Sequence, residues 1–233
     1  VEKLLRRGTG TVYYLILESQ LPLVEQLRQR WGDAADRAVP IVGDLTRPRL
    51  GVADADIARL KGDIGHLFHL AAVYDLKASA ELQEKVNVEG TRHAVAFAEA
   101  IEAGCFHLTS SIAAAGLYEG VFREDMFEEA EELEHPYYRT KHVSEGIVRR
   151  ECSRPWRVYR PGIVVGDSRT GEMDKIDGPY YFFKLIQKLR KLLPPWMPMI
   201  GLEGGRLNLV PVDFIVAAMD PIAHRPGLDG RCF

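Results

Sequence analysis

The sequence predicts a doubly wound α/β fold built on a mostly parallel sheet, and three observations predict it. Short apolar runs recur along the chain, each followed by a stretch of helical periodicity, the alternation that gives parallel strands joined by helices. Several runs are apolar throughout rather than alternating, as in strands covered on both faces. Small or polar residues stand at successive strand ends, where open α/β sheets bind their ligands.

Taken in order, Val1-Glu2-Lys3-Leu4-Leu5-Arg6-Arg7 reads as the back half of an amphipathic helix stopped by Gly8. Val12-Tyr13-Tyr14-Leu15-Ile16-Leu17 is a strand, residues 21–31 have helical spacing, and Val39-Pro40-Ile41-Val42 is a short strand running into Gly43-Asp44-Leu45-Thr46. A helix over 54–61 and a strand over 64–70 follow, the latter ending in Ala71-Ala72. One long helix is expected over 79–102, then a strand over 105–109 leading into Ser110-Ser111 and a small-residue turn that ends at Gly116. Residues 124–134 are heavily acidic and are expected to form a solvated loop covering the site. A helix from Tyr137 to about Arg150 and a strand over 156–159 complete the alternation, and Gly230-Arg231-Cys232-Phe233 stops inside another strand. A dinucleotide-binding core is expected over 1–166 and a smaller substrate-binding segment over 167–233.

One element is missing from this pattern. The first strand of a doubly wound sheet is central, so a chain opening on a helix leaves two strand edges without a partner. No Gly-x-Gly-x-x-Gly occurs. The chain is therefore expected to be an incomplete copy, with roughly fifteen to twenty residues of strand, glycine-rich turn and helix start preceding Val1.

Composition narrows the classes. A length of 233 residues suits one domain with a sizeable core, and a net charge of −3 gives no reason to expect nucleic-acid binding. Cys105, Cys152 and Cys232 are odd in number and scattered, which suggests neither a disulfide framework nor a metal site. A reducing, cytoplasmic setting is expected. No apolar run is long enough to span a bilayer.

Tyr137 and Lys141 stand four residues apart after Pro136. On a helix such a pair shares a face, about 5–6 Å apart. A cation there favours phenolate, and a phenol tuned downward from roughly 10 exchanges protons with a substrate oxygen near neutral pH. Asp44, Ala71-Ala72, Ser110-Ser111 and Arg160-Pro161-Gly162 fall at successive strand ends. Singly, each is more often a turn, cap or solvated residue, but their joint appearance in order points to one site.

With these residues in place, the chain resembles the extended short-chain dehydrogenase/reductase family, which has a Rossmann-type sheet. The resemblance rests on a strand-end serine followed by Tyr-x-x-x-Lys, on Asn87-Val88-Glu89-Gly90-Thr91, on Tyr159-Arg160-Pro161-Gly162 and on Asn208-Leu209-Val210-Pro211-Val212-Asp213. More narrowly, His69-Leu70-Ala71-Ala72-Val73-Tyr74-Asp75, Phe122-Arg123-Glu124-Asp125-Met126-Phe127, Thr170-Gly171-Glu172-Met173-Asp174-Lys175 and Asp177-Gly178-Pro179-Tyr180 are similar to the amino-terminal reductase domain of bacterial, wax-ester-type fatty acyl-CoA reductases.

That resemblance implies NADPH-dependent reduction of a long-chain acyl-CoA or fatty aldehyde, with a second reductase domain in the full-length chain. It implies Tyr137 as proton donor, Ser111 rather than Ser110 as its partner on the carbonyl oxygen, and Lys141 as the cation that binds the nicotinamide ribose. The cofactor pocket it implies comprises Asp44, Leu45, Leu70, Ala71, Ala72, Asn87, Tyr137, Lys141, Pro161, Gly162 and Ile163. NADH stays open as the reductant, because Leu15-Ile16-Leu17-Glu18-Ser19 carries an acid and no arginine where a 2′-phosphate would sit.

The apolar wall over 180–199, with Tyr180, Phe183, Ile186 and Trp196, suits a fatty chain, each buried methylene being favourable by about 0.8 kcal/mol. The same stretch fits a core helix or a homo-oligomer face equally well. Lys184, Lys188, Arg190 and Lys191 beside it leave a CoA phosphate or a peripheral membrane contact open. Competing readings are a sugar-nucleotide epimerase or dehydratase on the same fold and a non-catalytic dinucleotide sensor.

Overall fold

The centre of the fold is β4 (Cys105–Thr109), whose first four residues are buried. The computed structural model describes residues 1–74, 78–173, 180–192 and 207–233; the side chains of 181–185 and 189 lie outside that description. Two units emerge, one formed by Val1–Pro161 with Val216–Phe233 and the other by Gly162–Ile215.

In the first unit β4 lies between β3 (His66–His69) and β5 (Trp156–Tyr159), and β8 (Arg231–Cys232) adds outside β5. All four strands are parallel, with His66 opposite Cys105 and Phe106 opposite Trp156. One face of β4 carries Phe106 and Leu108 into a core closed by Ile57 and Leu60 of α3 (Asp54–Leu60), Val95, Phe97 and Ile101 of α5 (Gly90–Ala100) and the residue after it, and Ile147 and Val148 of α6 (Pro136–Glu151). On the other face His107 is wholly buried and satisfied, with Nε2 2.9 Å from His66 Nδ1 and Nδ1 2.9 Å from the Tyr159 hydroxyl. A polar residue in the middle of an apolar run is tolerated because both ring nitrogens are bonded.

The other two strands stand apart. β1 (Val12–Ile16) and β2 (Ala38–Val42) form their own parallel pair, and among the described residues neither β1 nor β3 has a second strand neighbour. Parallel strands joined by helices, in the orders β1-β2 and β3-β4-β5-β8, are the pattern of a Rossmann-like α/β fold. β2 is an edge strand, which accommodates Pro40 in it.

Helix boundaries follow local chemistry. α1 (Glu2–Arg7) ends at Gly8. α2 (Val24–Trp31) starts later than its periodicity suggests, because Pro22 lies in a 3-10 turn over Glu18–Leu23. The helix predicted over 79–102 begins at the Ser79 cap, whose Oγ accepts from Leu82 N at 3.2 Å. It then runs as α4 (Ala80–Gln83), a π-helical stretch over Glu84–Glu89, and α5. A π-turn opens the backbone ladder and is frequent at functional sites; Asn87 sits inside this one.

In the second unit β6 (Ile163–Val165) pairs in parallel with β7 (Leu209–Pro211). A Cβ on Gly162 would lie 2.4 Å from the Asn208 carbonyl oxygen, so only glycine fits there. α7 (Tyr180–Leu192) follows, and α8 (Val212–His224) runs on from β7. No helix among the described residues is long and apolar enough to cross a membrane.

Candidate active site

Because β3, β4 and β5 are parallel, His69, Thr109 and Tyr159 end on one edge of the sheet, and the residues after them form its rim. α6 crosses that rim. Its start is set by Pro136 in the first turn and by His135, whose Nδ1 accepts from Tyr137 N at 3.2 Å. The helical register then puts Tyr137, Lys141 and Glu145 on one stripe.

Ser111 and Tyr137 come together: burial, the larger effect, pushes the Tyr137 phenol up, while the nearby Ser111 side chain pulls it down. The net shift is upward. This corrects the expectation that Lys141 would draw the phenol below its ordinary value. The physical reason is that the Tyr137 ring is desolvated while the Lys141 ammonium turns to the Thr109 carbonyl, 3.4 Å away. Lys141 is itself only 8% exposed, and burial lowers it to about 8. A buried lysine near its midpoint carries a testable consequence. We expect cofactor affinity to fall as pH rises through about 8 and the ammonium is lost, and Lys141→Met to remove that dependence, read by fluorescence titration with NADPH.

The two strand-end serines divide their roles. Ser110 is 4% exposed and donates to Glu145 Oε2 at 3.2 Å, facing inward, whereas Ser111 caps the following turn by accepting from Ala113 N at 3.1 Å. The turn ends at Gly116, whose φ of 66° and whose Cβ position 1.7 Å from Glu131 O admit no other residue. His142 of α6 holds the same turn, with Nδ1 3.0 Å from Ala114 O.

A small pocket behind these groups is lined by His69, Ala71, Ala72, Asn87, Thr109, Ser110 and Lys141, among others. Asn87 joins its two walls: the side chain accepts from Val73 N at 2.7 Å, donates to Val73 O at 2.9 Å and reaches Thr140 Oγ1 at 3.2 Å. Its carbonyl takes hydroxyls from Thr91 at 2.6 Å and Ser144 at 2.8 Å. His69, which sequence reasoning did not assign to the site, contacts Thr91 Oγ1 at 3.1 Å. Burial, then the Lys141 charge, lower it to about 4.

Across the edge, Asp44 is held below its ordinary value by the backbone and side chain of Thr46. Leu45 packs on α5, its side chain 2.7 Å from where a Gly90 Cβ would stand, and its carbonyl meets His93 Nδ1 at 3.0 Å. Leu70 and Ala71 are exposed at the rim, and the Pro161 carbonyl accepts from Ile112 N at 3.1 Å.

The residues around this pocket have the chemistry of a site for a polar, sugar-bearing group. Among the described residues, Thr109 Oγ1 is buried there without a partner and Lys141 makes one hydrogen bond, while two alanines leave the backbone approachable. Unfilled polar capacity beside small side chains suits a sugar-bearing, flat ligand.

The remaining predicted residues belong to the second unit. Gly162 and Ile163 open β6, the Tyr180 hydroxyl accepts from Gly166 N at 2.7 Å, and Ile186 is 41% exposed on α7. Trp196 and the Phe183 side chain lie outside the described residues. The acidic segment differs from a solvated loop: Met126 and Phe127 are buried, Phe127 stacks on His142, and Glu131 exchanges backbone hydrogen bonds with Ala115 and Leu117. Its apolar residues pack down and its acids point out.

A parallel sheet with a serine at one strand end and a tyrosine and a lysine on the helix beside it is the arrangement of the extended short-chain dehydrogenase/reductase class. The chain belongs to the NAD-binding family described as Male sterility protein, which matches residues 1–219. It is 32% identical to a linear gramicidin synthase of Brevibacillus parabrevis over 81% of this chain and 4% of that protein. It is 27% identical to the aldehyde reductase lnbA of Aspergillus flavus over 87% of this chain and 21% of that one. Among solved structures, the terminal R domain from the myxalamid PKS-NRPS biosynthetic pathway superposes with a TM-score of 0.84 at 25% identity, covering all of this chain and 60% of that one. The chain thus spans about a fifth or less of the length of these two sequence relatives. They are a gramicidin synthase and an aldehyde reductase, so the wax-ester likeness is the finer and unsupported part of the resemblance.

Proposed function

We propose that this chain reduces an acyl group held as a thioester, releasing an aldehyde and a thiol. The observation that carries the reading is the buried Lys141 bonded to the Thr109 carbonyl at the sheet's carboxyl edge, with Tyr137 one turn earlier on α6 and Ser111 opening the turn that α6 holds through His142. The relatives support it, one named an aldehyde reductase and another a gramicidin synthase. The long-chain acyl-CoA is the specific substrate proposed, on the apolar sequence over 180–199. NADPH is the proposed reductant, held by Asp44, Leu45, Ala71, Ala72, Asn87 and Lys141. A further domain in the full-length protein completes the proposal.

The nicotinamide, when bound, supplies the hydride. Tyr137, kept protonated at neutral pH by burial, gives its proton to the carbonyl oxygen, and the Ser111 hydroxyl stabilises the charge developing there. The resulting hemithioacetal breaks its C–S bond, its hydroxyl proton passing to the departing sulfur, and Tyr137 regains a proton from solvent. One thioester, one reduced cofactor and one proton thus give one aldehyde, one thiol and the oxidised cofactor.

The test offers the intact protein a long-chain acyl-CoA, a long-chain aldehyde and a sugar nucleotide in parallel while NADPH absorbance and free thiol are followed. Thiol release matched to NADPH loss with the acyl-CoA is expected. Loss with the sugar nucleotide alone, or with none, would overturn the reading.

A further inference from the structure

Glu145 is wholly buried, one turn beyond Lys141 on the same stripe of α6, and its carboxylate receives four donors. Oε1 accepts from Arg160 Nη2 at 2.6 Å and Arg149 Nε at 2.8 Å; Oε2 accepts from Arg160 Nε at 3.0 Å and Ser110 Oγ at 3.2 Å. Ser110 is the residue before Ser111, and its own N–H donates to Tyr159 O at 2.8 Å. Arg160 has donor capacity beyond the carboxylate. Its Nη2 also donates to Met126 O at 2.9 Å, its Nη1 to Arg123 O at 3.3 Å, and its guanidinium lies 5.0 Å from the Phe122 ring centroid. One carboxylate and one guanidinium therefore tie together the catalytic helix, two strand ends and the segment 122–126.

We propose that Glu145 and Arg160 are positioning residues for the reaction proposed above, on which this inference rests: they fix the distance between the Ser111 strand end and the Tyr137–Lys141 helix, and clamp segment 122–126 as a fixed wall beside them. A bidentate guanidinium–carboxylate pair suits this task because its fork fixes orientation as well as distance. Ser110 is the link that transmits the position to Ser111. The Tyr137 and Ser111 side chains act on one oxygen, so a shift of the strand end relative to α6 misaligns them without removing either.

Deleting Glu145 leaves Arg160 buried without its carboxylate, and deleting Arg160 leaves Glu145 with Arg149 as its remaining cation, so either change threatens folding. The test therefore uses Glu145→Asp, which keeps the charge but shortens the arm, and Ser110→Ala, which removes only the link. For both variants, kcat for thioester reduction is expected to fall roughly 10- to 100-fold at unchanged folded fraction, with the KM for NADPH within about threefold, as small misplacements of reacting groups do. The primary isotope effect from deuterated NADPH should rise as the chemical step becomes limiting. A structural role alone would lower the folded fraction and leave kcat per folded molecule and the isotope effect where they were, and that result would overturn the proposal. Hydrogen exchange supplies a readout independent of turnover. In Glu145→Asp the backbone at 110–112 and at 123–127 should exchange faster together, and unchanged exchange at both would equally sink the coupling. A wild-type protein inactive on thioesters would condemn the functional reading, while the exchange experiment would still decide the coupling.

Discussion

Replacing Tyr137 with phenylalanine is expected to lower turnover by about 10²- to 10⁴-fold, the usual contribution of a positioned proton donor, while changing the NADPH dissociation constant by no more than about twofold. The separation of the two effects follows from geometry. The Tyr137 phenol lies near Ser111, whereas the Asn87 network that shapes the pocket is anchored on Val73, Thr140, Thr91 and Ser144 and does not use the phenol. The ring itself stays in place in the phenylalanine variant, so the desolvated packing at the start of α6 is retained. Stopped-flow measurement of NADPH oxidation together with equilibrium titration checks both halves. Turnover kept within a few-fold would remove Tyr137 from the proton-donor role, and a lost affinity would move it into the cofactor pocket instead.

Much of the scaffold that carries this site was legible in the residues. The run Cys105-Phe106-His107-Leu108-Thr109 has no polar alternation beyond its histidine and became the central strand at its expected bounds. Pro136 and the pattern after it marked α6 to within a residue or two. What escaped was set by tertiary contact. Apolar periodicity over 79–102 is the same for an α-helix and for one containing a π-turn, so nothing in the spacing showed that the backbone opens at Asn87. The sign of the Tyr137 shift depends on how dry the ring is, and a spacing of four residues says nothing about that. Glu145 and Arg160 lie 15 residues apart on different elements, and only the fold shows that each is the other's partner. A signal for them did exist. Glu145 falls on the Tyr137–Lys141 stripe, and an acid on the inward face of a helix needs a buried cation.

The same burial that organises the site makes the protein sensitive to acid. His69 and His107 are 6% and 0% exposed, and burial holds them neutral, at about 4 and about 3. The Lys141 charge adds to the effect at His69, and His66, Arg157 and His224 add to it at His107. In the unfolded chain both would titrate near their ordinary value of about 6.5. Between that value and the folded ones the unfolded state binds more protons, so stability rises with pH in this window and is lost as pH falls through it. Each group contributes up to about 1.4 kcal/mol per pH unit there. Going from pH 7 to pH 5 should therefore remove about 2 kcal/mol per histidine, or about 4 kcal/mol for the pair, a large share of a typical domain's stability. Asp44, held below its ordinary value by Thr46, adds its own loss only at lower pH, so the two contributions separate on the pH axis. Urea unfolding at pH 7 and pH 5 measures the difference directly, and His69→Gln should shrink it by about half, since that variant leaves only the His107 share. Equal unfolding free energies at the two pH values would mean that both imidazoles take up protons in the folded state. The hydrogen bonds from His107 to His66 and Tyr159 could not then survive with their present donors and acceptors, because a doubly protonated ring has no lone pair to offer either neighbour.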